Sequence, residues 1–157
     1  MILTPHLLVG AALGSEIQNF GIIFILSSIL HFVFDALPHW EYGQKYKFSV
    51  SDKKNFFFFI LQALLDIFIG LTIVTFILWP GTFNLYIIAG IFFSLLPDGL
   101  VLLYFLWSII NKKEENFLKK YYDFHKKIHF SNKKNALFSG IIIEGLIFFL
   151  SLYLFFY

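Results

Sequence analysis

Four apolar stretches, 20–38, 55–79, 83–110 and 135–157, take up most of this chain. At 1.5 Å of helix per residue, each is long enough to reach across a hydrocarbon core of roughly 30 Å. Backbone in lipid finds no water for its N–H and C=O groups, so stretches of this kind form helices that bond within themselves. The expected fold is all-α, a polytopic membrane helix bundle forming a single domain over 1–157. Composition removes the soluble alternative. With 59% hydrophobic and 14% charged residues, a 157-residue domain has too little interior to hide its apolar surface.

Lysine sets the expected orientation. All twelve basic residues are lysine, four between Tyr42 and Asn55 and eight between Asn111 and Asn135. By the positive-inside rule both loops are cytoplasmic, and the Pro80-Gly81 turn and Tyr157 face outward. Ahead of the spans, Thr4 to Gly14 reads as a half-length helix with Pro5 in its first turn, folded back against the first span after a turn at Ser15 to Asn19. It carries no Lys or Arg and so lacks the basic start of a signal peptide; it is expected to persist in the mature protein.

Inside these apolar segments lie a few ionisable residues. Each costs at least about 2.5 to 3.5 kcal/mol at membrane depth, so such groups face protein and often mark function. His31 and Asp35, four apart, share one helix face at a chelating spacing, and Pro38 ends that helix ahead of His39 and Trp40. Asp98 follows Pro97 and precedes Gly99, a pair expected to kink the third span and aim the carboxylate inward. Counted from the cytoplasmic ends, His31, Asp66, Asp98 and Glu144 fall at roughly 13 to 18 Å depth, and His6 descends to a depth similar to that of His31. Gln62, Asp66 and Gly70 form a polar and small stripe for which helix-packing contacts are an equal reading, as they are for Gly140 and Glu144. Without cysteine, any metal site must come from imidazole and carboxylate.

The segment from Asn111 to Lys134 has a different character. Lysine pairs at 112/113, 119/120, 126/127 and 133/134 repeat every seven residues, while Phe117, Tyr121, Phe124 and Ile128 form an apolar face. This describes an interfacial amphipathic helix over 112–130 whose lysines meet anionic lipid headgroups. Nucleic acid is not an expected partner, because the helix lies against a membrane and carries no Arg. His125 and His129, again four apart, either chelate a metal or serve as interfacial aromatics.

Taken together, His6 with Gly10, His31 with Asp35, Leu96-Pro97-Asp98, and His125 with His129 resemble the motifs of the prokaryotic membrane-bound metal-dependent hydrolases (YdjM-like). The order of the elements differs from that family, with His-x3-Asp coming first. Gly99 and lysines stand where the family carries a second acid and an arginine. Phe34-Asp-Ala-Leu-Pro-His39 also resembles the His-x3-Asp zinc pair of zinc-dependent phospholipase C and P1-type nucleases. The resemblance implies a hydrolase of the inner membrane acting at its cytoplasmic side on a phospholipid or another phosphoester. On this reading His6, His31, Asp35 and Asp98 hold a divalent metal, zinc by donor type, which lowers the pKa of a bound water. His125 or His129 completes the shell or acts as general base, and Asp66, His39 and Glu144 stand behind the ligands. A transporter with intramembrane carboxylates, or a structural membrane protein using buried charge between helices, are the alternative classes.

Overall fold

The computed structural model describes residues 2–39, 53–79, 81, 84–113, 117–129 and 136–156. Among them are six helices and no strand: α1 (Leu3–Glu16), α2 (Phe20–Ala36), α3 (Lys53–Ile77), α4 (Leu85–Asn111), α5 (Lys119–Ile128) and α6 (Ala136–Phe156). The first lysine loop over 40–52, most of the 80–83 turn, residues 130–135 and Tyr157 lie outside the described residues.

Local chemistry sets the helix ends. The Asn19 side chain accepts the Ile22 N–H at 3.1 Å and starts α2, and Asn84 does the same for Ile87 at 2.9 Å and starts α4. Pro38 pushes Leu37 to extended backbone, φ −79° and ψ 156°, so α2 stops at Ala36. Pro97 lies within α4, which continues past it as helix to Asn111 and ends on Lys112 in the left-handed region, φ 53°.

The count of four spans is corrected. Among the described residues three helices are long and apolar enough to cross a membrane: α3 from Asn55, α4, and α6 from Phe138. α2 is apolar but has 17 residues, about 26 Å of helix, because its asparagine cap and its proline stop leave no more. Outward faces of the long helices carry exposed Phe68, Phe76, Phe138 and Leu146, as lipid contact requires.

α1 also differs from expectation. It does not lean on the first span alone but forms the centre of the bundle, contacted by α2, α3, α4 and α6 and packed most extensively on α4. Residues 4–12 and Gly14 are all buried. Glycine permits this closeness. A Cβ on Gly90 would stand 1.9 Å from the Gly10 carbonyl oxygen, and one on Gly14 2.2 Å from the Tyr86 carbonyl oxygen. Gly10 and Gly14 thus form a small-xxx-small stripe against α4.

Asp66 of α3 holds the other end of α1. Its carboxylate accepts the N–H groups of Leu3 and Thr4 and the Thr4 hydroxyl, while the Asp66 carbonyl accepts from Thr4 Oγ1 at 2.9 Å. The first turn of α1 therefore finds its missing acceptors on a neighbouring helix.

α5 is shorter than the 112–130 expected. Lys112 closes α4, residues 114–116 lie outside the described set, and the described helix begins at Lys119. Its inner face packs on the bundle: the Tyr122 ring stacks on Tyr104 at 4.5 Å, and Phe124 meets Phe32 edge to face at 5.6 Å. Lys120, Lys126 and Lys127 point outward, exposed.

Candidate metal centre

Four elements converge beneath α5. α2 supplies His31 and Asp35 from one face, α4 supplies Asp98, α1 supplies His6, and α5 with the residue after it supplies His125 and His129. The His31, Asp35 and His6 side chains are almost fully buried, while that of Asp98 is 30% exposed.

Hydrogen bonds fix the state of His31. Its Nδ1 lies 2.9 Å from the Ser94 carbonyl oxygen, which can only accept, so Nδ1 carries the hydrogen. In the neutral ring Nε2 then presents a lone pair. That lone pair faces Asp35 Oδ2 at 3.2 Å, His125 Nε2 at 3.3 Å and Asp98 Oδ1 at 3.8 Å. His125 Nε2 lies 3.4 Å from both Asp35 Oδ2 and Asp98 Oδ1. With His125 protonated on Nδ1, all four atoms present lone pairs to one another, an arrangement that one divalent ion would satisfy together.

The spacing fits such an ion. Ligand bonds of 2.0 to 2.2 Å in a tetrahedral shell put neighbouring donor atoms about 3.3 to 3.6 Å apart. An octahedral shell with bonds of about 2.1 Å would bring adjacent donors to about 3.0 Å. Five of the six separations here run from 3.2 to 3.8 Å. His31, Asp35, Asp98 and His125 each offer one donor atom, and all these atoms lie within 4.8 Å of one another. This His/Asp cluster can hold a metal ion.

Of the expected quartet the structure brings together His31, Asp35 and Asp98. His125 takes the fourth corner, so it is a ligand candidate rather than an interfacial aromatic. His6 lies beside the cluster and not among its four donors. Because a carboxylate oxygen only accepts, His6 Nε2 donates to Asp35 Oδ1 at 3.2 Å, and its ring stacks on His31 with centroids 4.3 Å apart. Its Nδ1 is buried without a hydrogen-bond partner among the described residues.

Of the residues expected behind the ligands, His39 enters a second group with Asp35 and His129, again within 4.8 Å. Burial holds the His39 and His129 rings down to about 4, so both are neutral imidazoles at pH 7. Asp66 is occupied at the start of α1, and Glu144 is buried on α6 and belongs to neither group.

Two supports were not foreseen. The Ser94 carbonyl orients His31, and the Tyr121 hydroxyl donates to the Pro97 carbonyl at 3.1 Å, tying α5 to the turn that carries Asp98. Burial, with the carboxylates of Asp98 and Asp35, pushes the Tyr121 hydroxyl above its usual range and keeps it a donor. The sequence signal for Tyr121 is its place one helical turn before His125. The Ser94 carbonyl, being main chain, leaves none. No family model, curated protein or solved structure matches the chain.

Proposed function

We propose that this chain is a zinc-dependent hydrolase of a prokaryotic inner membrane, acting near the cytoplasmic face on a phospholipid or another phosphoester, as the resemblance to the YdjM-like hydrolases implies. One observation carries the reading: four donor atoms from three elements lie within 4.8 Å of one another, five of their six separations falling between 3.2 and 3.8 Å. A bound zinc ion would supply a Lewis acid for the scissile ester, and a water of lowered pKa where its shell expands to a fifth position. His31, Asp35, Asp98 and His125 would hold that ion, with His31 oriented by Ser94 and Asp35 oriented by His6. Asp98 and His129 also line a cavity of about 250 Å³ whose other walls include Phe59, Leu64, Leu102 and Phe105. An apolar chain lodged there would bring its polar end to the His/Asp cluster, which favours a lipid over a water-soluble ester. Outward lysines on α5 would gather anionic headgroups beside it.

Purified protein, stripped with chelator and reloaded with zinc, should hydrolyse a fluorescent phospholipid in mixed micelles. Activity should vanish on chelation, return with zinc, and fall at least about 100-fold in Asp98→Asn and His125→Gln. Zinc uptake without turnover of phospholipids or simple phosphodiesters would remove the hydrolase reading and leave a metal-binding membrane protein.

A further inference from the structure

Asp35 presents its two oxygens to different partners. Oδ2 meets His31 at 3.2 Å and His125 at 3.4 Å, the corners of the cluster described above. Oδ1 faces the other way, towards His6 at 3.2 Å and His129 at 4.0 Å. On that second side His39 closes in: its ring meets that of His129 edge to face at 4.5 Å, and Asp35, His39 and His129 form the second group of mutually close donors. His39 Nδ1 donates to the Leu37 carbonyl at 2.7 Å, which fixes the tautomer and leaves Nε2 as a lone-pair donor. Pro38 turns the chain out of helix at Leu37, and His39, four residues after Asp35, is buried beside it.

We propose that Asp35 bridges two metal ions, one held by His31, Asp35, Asp98 and His125, the other by Asp35, His39 and His129. A carboxylate shared between cations through its two oxygens matches the spacing of about 3.5 to 4 Å found in two-metal sites. The two positions differ in kind. Four protein donors fill the first, as in a closed site, whereas among the described residues three protein donors meet at the second. His129 belongs to the second group and also lines the apolar cavity, so that position lies beside the place where a lipid-like substrate would arrive. The inference rests on the metal-dependent hydrolase reading and deepens it. Paired cations would clamp the attacking and leaving oxygens of a phosphoryl group, so a phosphoester suits the pair. His6 is a positioning residue here, holding Oδ1 by a hydrogen bond so that the carboxylate plane faces both positions.

Metal stoichiometry tests it on the full-length protein in detergent, independently of any activity. After zinc loading and removal of free metal, elemental analysis should give two zinc ions per wild-type chain, and the double variant His39→Ala/His129→Ala should keep one. Circular dichroism of that variant should match wild type, since neither residue lies inside a membrane-spanning helix. Manganese loading gives a second readout on the unaltered chain: two ions sharing Asp35 should show exchange-coupled electron spin resonance, lost in the double variant. One zinc in the wild type, or an isolated-ion manganese spectrum, overturns the bridge while leaving a mononuclear hydrolase intact. Two zinc ions remaining in His39→Ala/His129→Ala overturns the assignment of the second position. Two zinc ions in a protein that cleaves no phosphoester would instead uphold the bridge and defeat the hydrolase.

Discussion

Asp66 and Asp98 are both carboxylates set in apolar helices, yet their neighbours give them opposite work. Asp66 accepts from Leu3, Thr4 N–H and Thr4 hydroxyl, whereas Asp98 turns towards His31 and His125. Asp66→Ala should therefore lower thermal stability in detergent by about 1 to 2 kcal/mol, the scale of a lost helix cap, with bound metal unchanged. Asp98→Asn should do the reverse, stripping zinc while the metal-free melt stays near wild type. Equal metal loss in both variants would show that the two carboxylates share one role. Part of this division was open to reading from the chain. His31 and Asp35 are legible because four residues on a helix fix both depth and azimuth. Asp66 shares a depth with the site, but depth alone does not say which way a side chain points around its helix, and so the sequence sets it behind the ligands whereas it caps α1.

Among the elements, α1 shows most clearly what packing adds to hydropathy. Its 14 residues are too few to cross, and nothing in their apolarity says that four helices will surround them. The information lies in Gly10 and Gly14, whose missing side chains admit α4. Gly90→Ala should cost about 1 to 3 kcal/mol or more, because the new methyl meets main chain that cannot rotate away. Gly99→Ala in the same helix meets nothing within 4 Å and should leave the melting temperature unchanged or raised. A similar loss in both would mean that the close approach is not what holds α1. For α5 the seven-residue lysine repeat was readable, but the burial of His125 was not, since an amphipathic helix docked on protein and one lying on lipid share a pattern. A peptide of residues 111–134 should bind anionic vesicles and lose about 1 kcal/mol for each of Lys119, Lys120, Lys126 and Lys127 changed to Gln. Equal binding to neutral vesicles would remove the headgroup role.

At the scale of the whole molecule, three helices are long and apolar enough to cross a membrane, and the positive-inside rule predicts that both lysine loops are cytoplasmic. Since the chain has no cysteine, single cysteines introduced at Ser51 and Thr82 can be labelled cleanly by an impermeant reagent. They should react from opposite sides; reaction from one side would overturn the cytoplasmic placement of both lysine loops. The helical class was legible because lipid allows the backbone little choice. The span count was not, because the difference between 19 apolar residues and a 17-residue helix rests on a cap and a proline.

The glycine contact between α1 and α4 has one more consequence, for ion size. His6 lies on α1 and the Ser94 carbonyl on α4, the two helices whose main chains meet at Gly10 and Gly90, so the frame behind Asp35 and His31 has little room to swell. A stiff cage of this span suits an ion with bonds near 2.1 Å and penalises calcium, which needs six to eight oxygens at about 2.3 to 2.6 Å. Calcium in large excess should therefore fail to displace zinc from the wild-type protein, and Gly90→Ala, by prising the seam apart, should relax that discrimination before it abolishes binding.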